Sequence, residues 1–364
     1  MKIGVLNGDD IGHEVVPEAV KVLRAAASVT GLEIEWVKMP IGREALDTLG
    51  TTLPADTLDR LEALDGWILG PIGHMAYPKR PEAINPHPIL RKHFDLFANI
   101  RPVKSYPSLP SVHQGVDLVI VRENNEGFQP DRNVVAGSGE FRPTPDVTIS
   151  VRVITRVGSS KVARAAFELA RTRRNHLTAV HKDTVFKLGC GMFVEECRKL
   201  AVEYPDVLYD EAIVDTFAMR LVMTPQRYDV IVTTNMFGDI LSDEAAGLVG
   251  GLGLAPGLSA GLRHAMAQAT HGSAPDIAGR GIANPYAMIM SGKMLFAWLG
   301  YRRQIQAAIN AAALIEAAME QVIADRRALT PDLGGTASTG AMGDAVVDAV
   351  NALSREPALA PAPA

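Results

Sequence analysis

The chain has 364 residues, and at about 150 residues per domain it is expected to hold two to two and a half domains rather than one small module. With 47% hydrophobic and 21% charged residues it has ordinary globular usage, which excludes disorder and coiled coil as descriptions of the whole. Lys plus Arg is 36 against Asp plus Glu 41, a net charge of −5, so no basic excess is available to neutralise a phosphate backbone, and nucleic acid is excluded as the main partner.

Short β-branched runs alternate with longer amphipathic stretches. In chain order the predicted strands are 2–6, 33–37, 66–69, 117–122, 147–154, 176–181, 207–214 and 229–233. The predicted helices are 13–28, 54–63, 88–94, 160–171, 191–203, 216–223, 238–248, 284–297, 303–324 and 340–353. This βα alternation implies an α/β architecture with a largely parallel sheet. Between 128 and 145 the pattern fails: Pro130, Gly137, Gly139, Pro143 and Pro145 read as an excursion from the body, an arm suited to meeting a second subunit. The Pro/Ala-rich tail, EPALAPAPA, is expected to fray. No solenoid repeat occurs. Cys190 and Cys197, seven apart in a helix-like stretch, lack zinc-finger company and read as reduced core thiols. The apolar run after Lys2 is too short for a signal peptide, and no run approaches the roughly 20 apolar residues of a membrane span, so a soluble cytoplasmic protein without membrane contact is expected.

The sharpest local signal is NMFGDILSDEAAG, in which Asp239 and Asp243 lie four apart and so share one helix face. Two like charges so placed invite a hard divalent cation such as Mg²⁺ or Mn²⁺, or else are helix N-terminal acids favoured by the macrodipole. Asp215, in IVDTFAMRL, completes a metal set or caps a helix. Arg91, Arg101 and Arg122 fall close together, and Arg101 and Arg122 end apolar runs where ligand crevices of open α/β sheets form. Arg grips carboxylates bidentately, so beside a metal pair the three point to a small polycarboxylate, although each alone reads as a surface residue. Lys182, just past the strand HLTAVHK, is either a proton-exchanging group or a surface lysine. The Gly-, Pro- and Ala-rich HGSAPDIAGRGIANP, from His271 to Pro285, reads as a ligand-approaching loop. No Walker A or G-x-G-x-x-G pattern is present, since GLGLAP at 251–256 follows a helix rather than a strand.

At HGSAPDIAGRGIANP, TTNMFGDILSDEAAGLVGGLGLAPG and DLFANIRP, and from the opening GVLNGDDIGHEVVPEA to about Leu299, the chain closely resembles the isocitrate/isopropylmalate dehydrogenase family of NAD(P)-dependent β-decarboxylating dehydrogenases. The resemblance implies that family's two-domain fold with a parallel or mixed sheet and an NAD site lacking the Rossmann fingerprint. One domain would comprise 1–98 with 250–355, and an inserted substrate and dimerisation domain 99–249 would carry an arm near 128–150; 356–364 would be a disordered tail. It further implies a homodimer with shared active sites. Arg91, Arg101 and Arg122 would clamp a malate-like substrate, Asp239 and Asp243 with Asp215 of the partner subunit would hold Mg²⁺ or Mn²⁺, and Lys182 of the partner subunit would be the general base. His271, Gly272, Ser273, Ala274, Pro275, Asp276, Ile277 and Asn284 would hold the adenosine half of NAD, with Asp276 on the ribose hydroxyls, where a carboxylate disfavours the 2′-phosphate of NADP.

The chain departs from the family pattern at four places. RENNEGFQ puts Phe128 and Gln129 where a Tyr is usual at the second position; Thr184 replaces an Asn, Gln268 a Glu, and Asp10 a Gly. In this family the residues before the first clamp arginine face the substituent on C3. Here Asn85 and His87 offer hydrogen bonds or, with His87 protonated, a charge, which favours a polar or carboxylated group over isopropyl; His87 also reads as a helix-start residue. The expected reaction is NAD- and metal-dependent oxidative decarboxylation of a (2R)-malate substituted at C3, of isocitrate, homoisocitrate, isopropylmalate or tartrate type. The alternatives are oxidation without efficient decarboxylation and a non-catalytic regulatory subunit.

Overall fold

In the computed structural model, which describes residues 1–129, 133–134 and 137–355, the chain opens with β1 (Lys2–Leu6), α1 (Gly12–Thr30), β2 (Glu35–Lys38), α2 (Gly42–Leu49), α3 (Thr57–Glu62), β3 (Gly66–Leu69) and α4 (Pro86–His93). The middle segment runs β4 (Ala98–Lys104), β5 (Asp117–Glu123), β6 (Glu140–Thr144), β7 (Val147–Ser150), α5 (Arg156–Arg171), β8 (His176–His181), α6 (Gly189–Glu203), β9 (Leu208–Ile213), α7 (Val214–Met223), β10 (Val230–Thr233) and α8 (Asn235–Val249). It closes with β11 (Leu258–Ala260), β12 (Ala265–Ala267), α9 (Tyr286–Arg303), α10 (Gln306–Asp325) and α11 (Thr339–Leu353). The expected tail at 356–364 and Pro130 lie outside the described residues.

One sheet of ten strands runs β2-β1-β3-β12-β11-β4-β5-β10-β8-β9. Its flanks are parallel, and antiparallel pairing is confined to the centre, where β11 joins β12 and β4, and β4 joins β5. Helices cover both faces, as parallel strands require. On one half, Val15, Val22 and Leu23 of α1 pack with Leu295 and Phe296 of α9 and with Ile315 and Met319 of α10. Trp67, Leu90, Phe94 and Met266 fill the opposite face. On the other half, Phe167 of α5 and Phe193 of α6 pack on Leu177 and Val230, while Phe217, Tyr228 and Leu241 pack on Leu118 and Ile120. The first pair of cores draws on both ends of the chain, the second on residues between Phe97 and Val249.

Four strands and a helix were not expected from the sequence. β11 (LSA) and β12 (AMA) are three residues each and lack β-branched side chains, β4 carries Arg101 and Pro102, and α2 has only eight residues. β6 contains Pro143, which the ribbon accommodates at a register shift between the Phe141–Ile149 and Thr144–Val147 pairs. The β6–β7 ribbon stands apart from the main sheet with every residue exposed, and the strand expected over 147–154 ends at Ser150. The expectation that no run could span a membrane needs correcting: by length and composition α10 is long and apolar enough. Its Ala308, Ala311, Ile315 and Met319 are instead buried in the core among α1, α9 and α11.

Candidate active site

β3, β12 and β4 run one way and β11, β5 and β10 the other, so a crevice opens over the centre of the sheet, where strand direction changes. A cleft of about 240 Å³ occupies it, lined by His87, Arg91, Arg101, Arg122, Asp239, Gln268 and His271 among others.

Local sequence places each of these side chains. Asn85 caps α4 by accepting from the His87 backbone N–H at 3.1 Å, with Pro86 in the first turn, so the helix starts early enough for His87 and Arg91, four apart, to share the cleft-facing side. Asn85 is thus spent on the cap and does not line the cleft. On β4 and β5, Asn99 pairs with Arg122 and Arg101 with Ile120, which brings both guanidinium groups diagonally to one face. α8 covers that face. Gly238 lets it approach closely, since a Cβ there would lie 2.6 Å from Arg122 Cγ.

On α8, Asn235, Asp239, Ser242 and Asp243 recur at helical spacing. Arg101 Nη1 donates to Asp239 Oδ1 at 3.0 Å and to Ser242 Oγ at 2.6 Å, and lies 3.6 Å from Asp243 Oδ1. Its Nε donates to Asn99 Oδ1. Arg122 Nη1 donates to Asp239 Oδ1, while its Nη2 and Nε reach Asn235 Oδ1 at 2.7 and 3.2 Å. Both arginines are buried and the two Asp side chains half-exposed. Burial pushes the Arg101 guanidinium down from its usual range, with Asp239 and Asp243 opposing it; burial likewise raises the Asp243 carboxyl, against the pull of Arg101. Two hard oxygen donors one turn apart at the cleft mouth suit Mg²⁺ or Mn²⁺. Among the described residues no group of three or more His, Cys, Asp or Glu is placed to hold a metal ion, so the pair is two ligands in search of a third.

Asp215 does not join them within one chain. It begins α7 and accepts from Lys182 Nζ at 2.6 Å, a bond that holds its carboxyl below the usual range. Lys182 and Asp215 line a second hollow, lined also by Phe186, Val214, Phe237, Ile240 and Glu244, and none of these residues lines the arginine cleft. α8 is the wall between the two. Beside this hollow, exposed apolar side chains run along α7 and α8: Met219, Val222, Met223 and Ile240.

The loop from His271 to Ile277 reaches the cleft through His271 and Gly272. The Ile11 N–H donates to Ser273 O at 3.1 Å, and the Gly279 N–H to Glu14 Oε1 at 2.6 Å, which ties the loop to the start of α1. Ala274 takes φ +44°. Burial lowers the His271 imidazole's pKa, and its Nε2 is buried without a hydrogen-bond partner, a vacant polar position of the kind a nucleotide would satisfy. Asp276 is exposed at the rim. Asn284 is buried, accepting from the Tyr286 N–H at 2.9 Å and donating to Asp332 Oδ2 at 2.9 Å, so it fastens the start of α9 to Asp332.

The departures from the family pattern have structural counterparts. Asp10 sits at φ +50°, a left-handed conformation that favours Gly and that Asp tolerates. Gln129 Nε2 donates to Asn235 Oδ1 at 3.2 Å, joining the Arg122 network. Thr184 is exposed. Gln268, just past β12, bridges Arg91 and His87. The sequence reading missed Asn99, Asn235 and Ser242. The signal was spacing: Asn99 lies two before Arg101 on a strand, and Asn235 and Ser242 lie four before and three after Asp239 on a helix.

The model of the isocitrate/isopropylmalate dehydrogenase family matches residues 2–346. The chain belongs to that family. An isocitrate/homoisocitrate dehydrogenase of Thermus thermophilus is 43% identical over 97% of this chain and 99% of its own length, and a 3-isopropylmalate dehydrogenase of Archaeoglobus fulgidus 42% identical over 93% and 96%. The crystal structure of isocitrate dehydrogenase from Methylococcus capsulatus, 41% identical, matches with a TM-score of 0.85 over 96% of this chain and 99% of that one. The protein is therefore an oxidoreductase of the decarboxylating-dehydrogenase type, and its mixed sheet is this family's fold.

Proposed function

We propose that the protein oxidises and decarboxylates a (2R)-malate substituted at C3, using NAD and Mg²⁺ or Mn²⁺. The observation that carries this reading is the cleft in which Arg91, Arg101 and Arg122 meet Asp239, with Asp243 one turn along α8 and 3.6 Å from Arg101. The arginines grip the two carboxylates of the malate core. Asp239 and Asp243 hold the cation with Asp215 of a second copy, whose Lys182 takes the proton from the substrate hydroxyl; the Lys182–Asp215 hollow, walled off by α8 in one chain, supports this division. When bound, the cation would supply Lewis acidity and the nicotinamide a hydride acceptor. His271 to Ile277, with Asn284, cradles the adenosine half, and the exposed Asp276 accepts from ribose hydroxyls and repels a 2′-phosphate, which favours NAD over NADP.

We take residues 1–98 with 250–355 and residues 99–249 as the two domains, and a second copy as the occupant of the apolar α7–α8 face, because the site lacks its base and third acid without one. The free, buried Cys190 and Cys197 fit a reducing cytoplasm.

The test is NADH formation at 340 nm with D-malate, tartrate, isocitrate, homoisocitrate and 3-isopropylmalate, with either metal and with EDTA, and again with NADP. EDTA-sensitive reduction of NAD by one of these acids is expected; equal rates with and without chelator would overturn the metal assignment. Gln129 favours a second reading, oxidation without efficient decarboxylation, since a carboxamide tied to Asn235 does not replace a phenol in protonating an enol. A one-to-one ratio of CO₂ to NADH eliminates it.

A further inference from the structure

Gln268 is buried among three hydrogen-bonding groups, two of them of fixed character. Its Oε1 faces Arg91 Nη2 at 3.5 Å, and its Nε2 lies 3.3 Å from the Gly70 carbonyl and 2.6 Å from His87 Nε2. Guanidinium has only donors and a carbonyl only accepts, so these two neighbours orient the amide independently and in agreement: oxygen to Arg91, nitrogen to Gly70. The same nitrogen must then donate to His87, and a donor at 2.6 Å requires a lone pair on imidazole Nε2. An imidazolium would set N–H against N–H. A neutral His87 ring with its proton on Nδ1 satisfies this arrangement.

Resting on the reading of this cleft as a malate site, we propose that Gln268 is a positioning residue that holds His87 as a neutral, Nδ1-protonated imidazole and so selects substrates whose C3 substituent is uncharged and hydrogen-bonding, a hydroxyl foremost. The arginines serve the two carboxylates of the core, and beside His87 the cleft wall is made by the uncharged Pro71, Ile72, Ala269 and Thr270. A carboxylate at 268 would accept from Arg91 and from His87 together, stabilise an imidazolium, and create the cation that a third substrate carboxylate needs. A single amide-for-acid difference thus sets the charge of the subsite.

The test combines ¹⁵N spectra of histidine-labelled protein at pH 7, with His87 assigned through His87→Gln, and kcat/KM for tartrate against isocitrate and homoisocitrate. Wild type is expected to show Nδ1 protonated and Nε2 bare. Gln268→Glu is expected to show both nitrogens protonated and to move the ratio toward the tricarboxylates by about tenfold or more, the worth of one charge-assisted hydrogen bond. Gln268→Met, which keeps the shape without the amide, should lose the fixed tautomer without gaining the tricarboxylate preference. A protonated Nε2 in wild type, or a Gln268→Glu variant with unchanged spectrum and ratio, overturns the proposal. If no acid in the panel is oxidised, the malate reading fails by itself; the spectra still decide the tautomer, and calorimetric binding of the same acids decides the preference.

Discussion

Glu123 lies directly behind the arginine cleft, with Asn235 between them. It is 2% exposed, accepts from the Asn125 and Glu126 N–H groups at 2.7 and 2.9 Å, and is pushed up to about 7, chiefly by burial, while those N–H donors pull the other way. Its protonated form is favoured in the folded chain, so its contribution to stability is full below its ordinary pKa of 4.5 and is lost as pH rises through about 7. A shift of this size is worth on the order of 3 kcal/mol. The melting temperature of wild type is therefore expected to decline from pH 5 to pH 8 more steeply than that of Glu123→Gln; parallel profiles would remove Glu123 as the cause. At this scale the sequence was legible where charge and spacing bring side chains together, as at Asp239 and Asp243 or the three arginines. It was silent on which neutral partners fix those charges, because Asn99, Asn235 and Ser242 are common residues whose meaning lies in which strand or helix faces them.

The approach of α8 to β5 makes the arginine network possible. A methyl at Gly238 would meet Arg122 Cγ at 2.6 Å and Cβ at 2.7 Å, atoms too near the backbone to move aside. Gly238→Ala is expected to cost roughly 1–3 kcal/mol through overpacking, more than the helix-propensity gain of up to about 1 kcal/mol returns. Gly247→Ala on the same helix, with open space around it, isolates that gain and should be neutral or stabilising. Thermal unfolding of the two variants gives the comparison, and equal melting temperatures would show that the helix does not depend on the close approach. Element identity was readable where periodicity was strong: α1, α5, α6, α10 and the buried strands β1, β3 and β8 stand where the apolar pattern put them. β11 and β12 were hidden because three residues without β-branching make a strand only when β4 and β3 are there to pair with them, and β6 because its proline is tolerated at a bulge.

At the scale of the whole molecule, the site we propose lies in two places within one chain. The arginines and two carboxylates lie on one side of α8, and Lys182 with Asp215 on the other, beside the exposed Met219, Met223 and Ile240. No periodicity within one sequence encodes a contact with a second copy; the proposal of a shared site comes from the family resemblance and from the separation of these two hollows. The direct test is to co-express differently tagged Lys182→Ala and Asp239→Asn chains and purify the mixed pairs. Each variant alone should be inactive. In a shared-site homodimer one of the two sites in the mixed pair carries both substitutions and the other neither, so NAD reduction should return to about half the wild-type rate. Mixed pairs as inactive as their parents would contradict a site assembled from two chains.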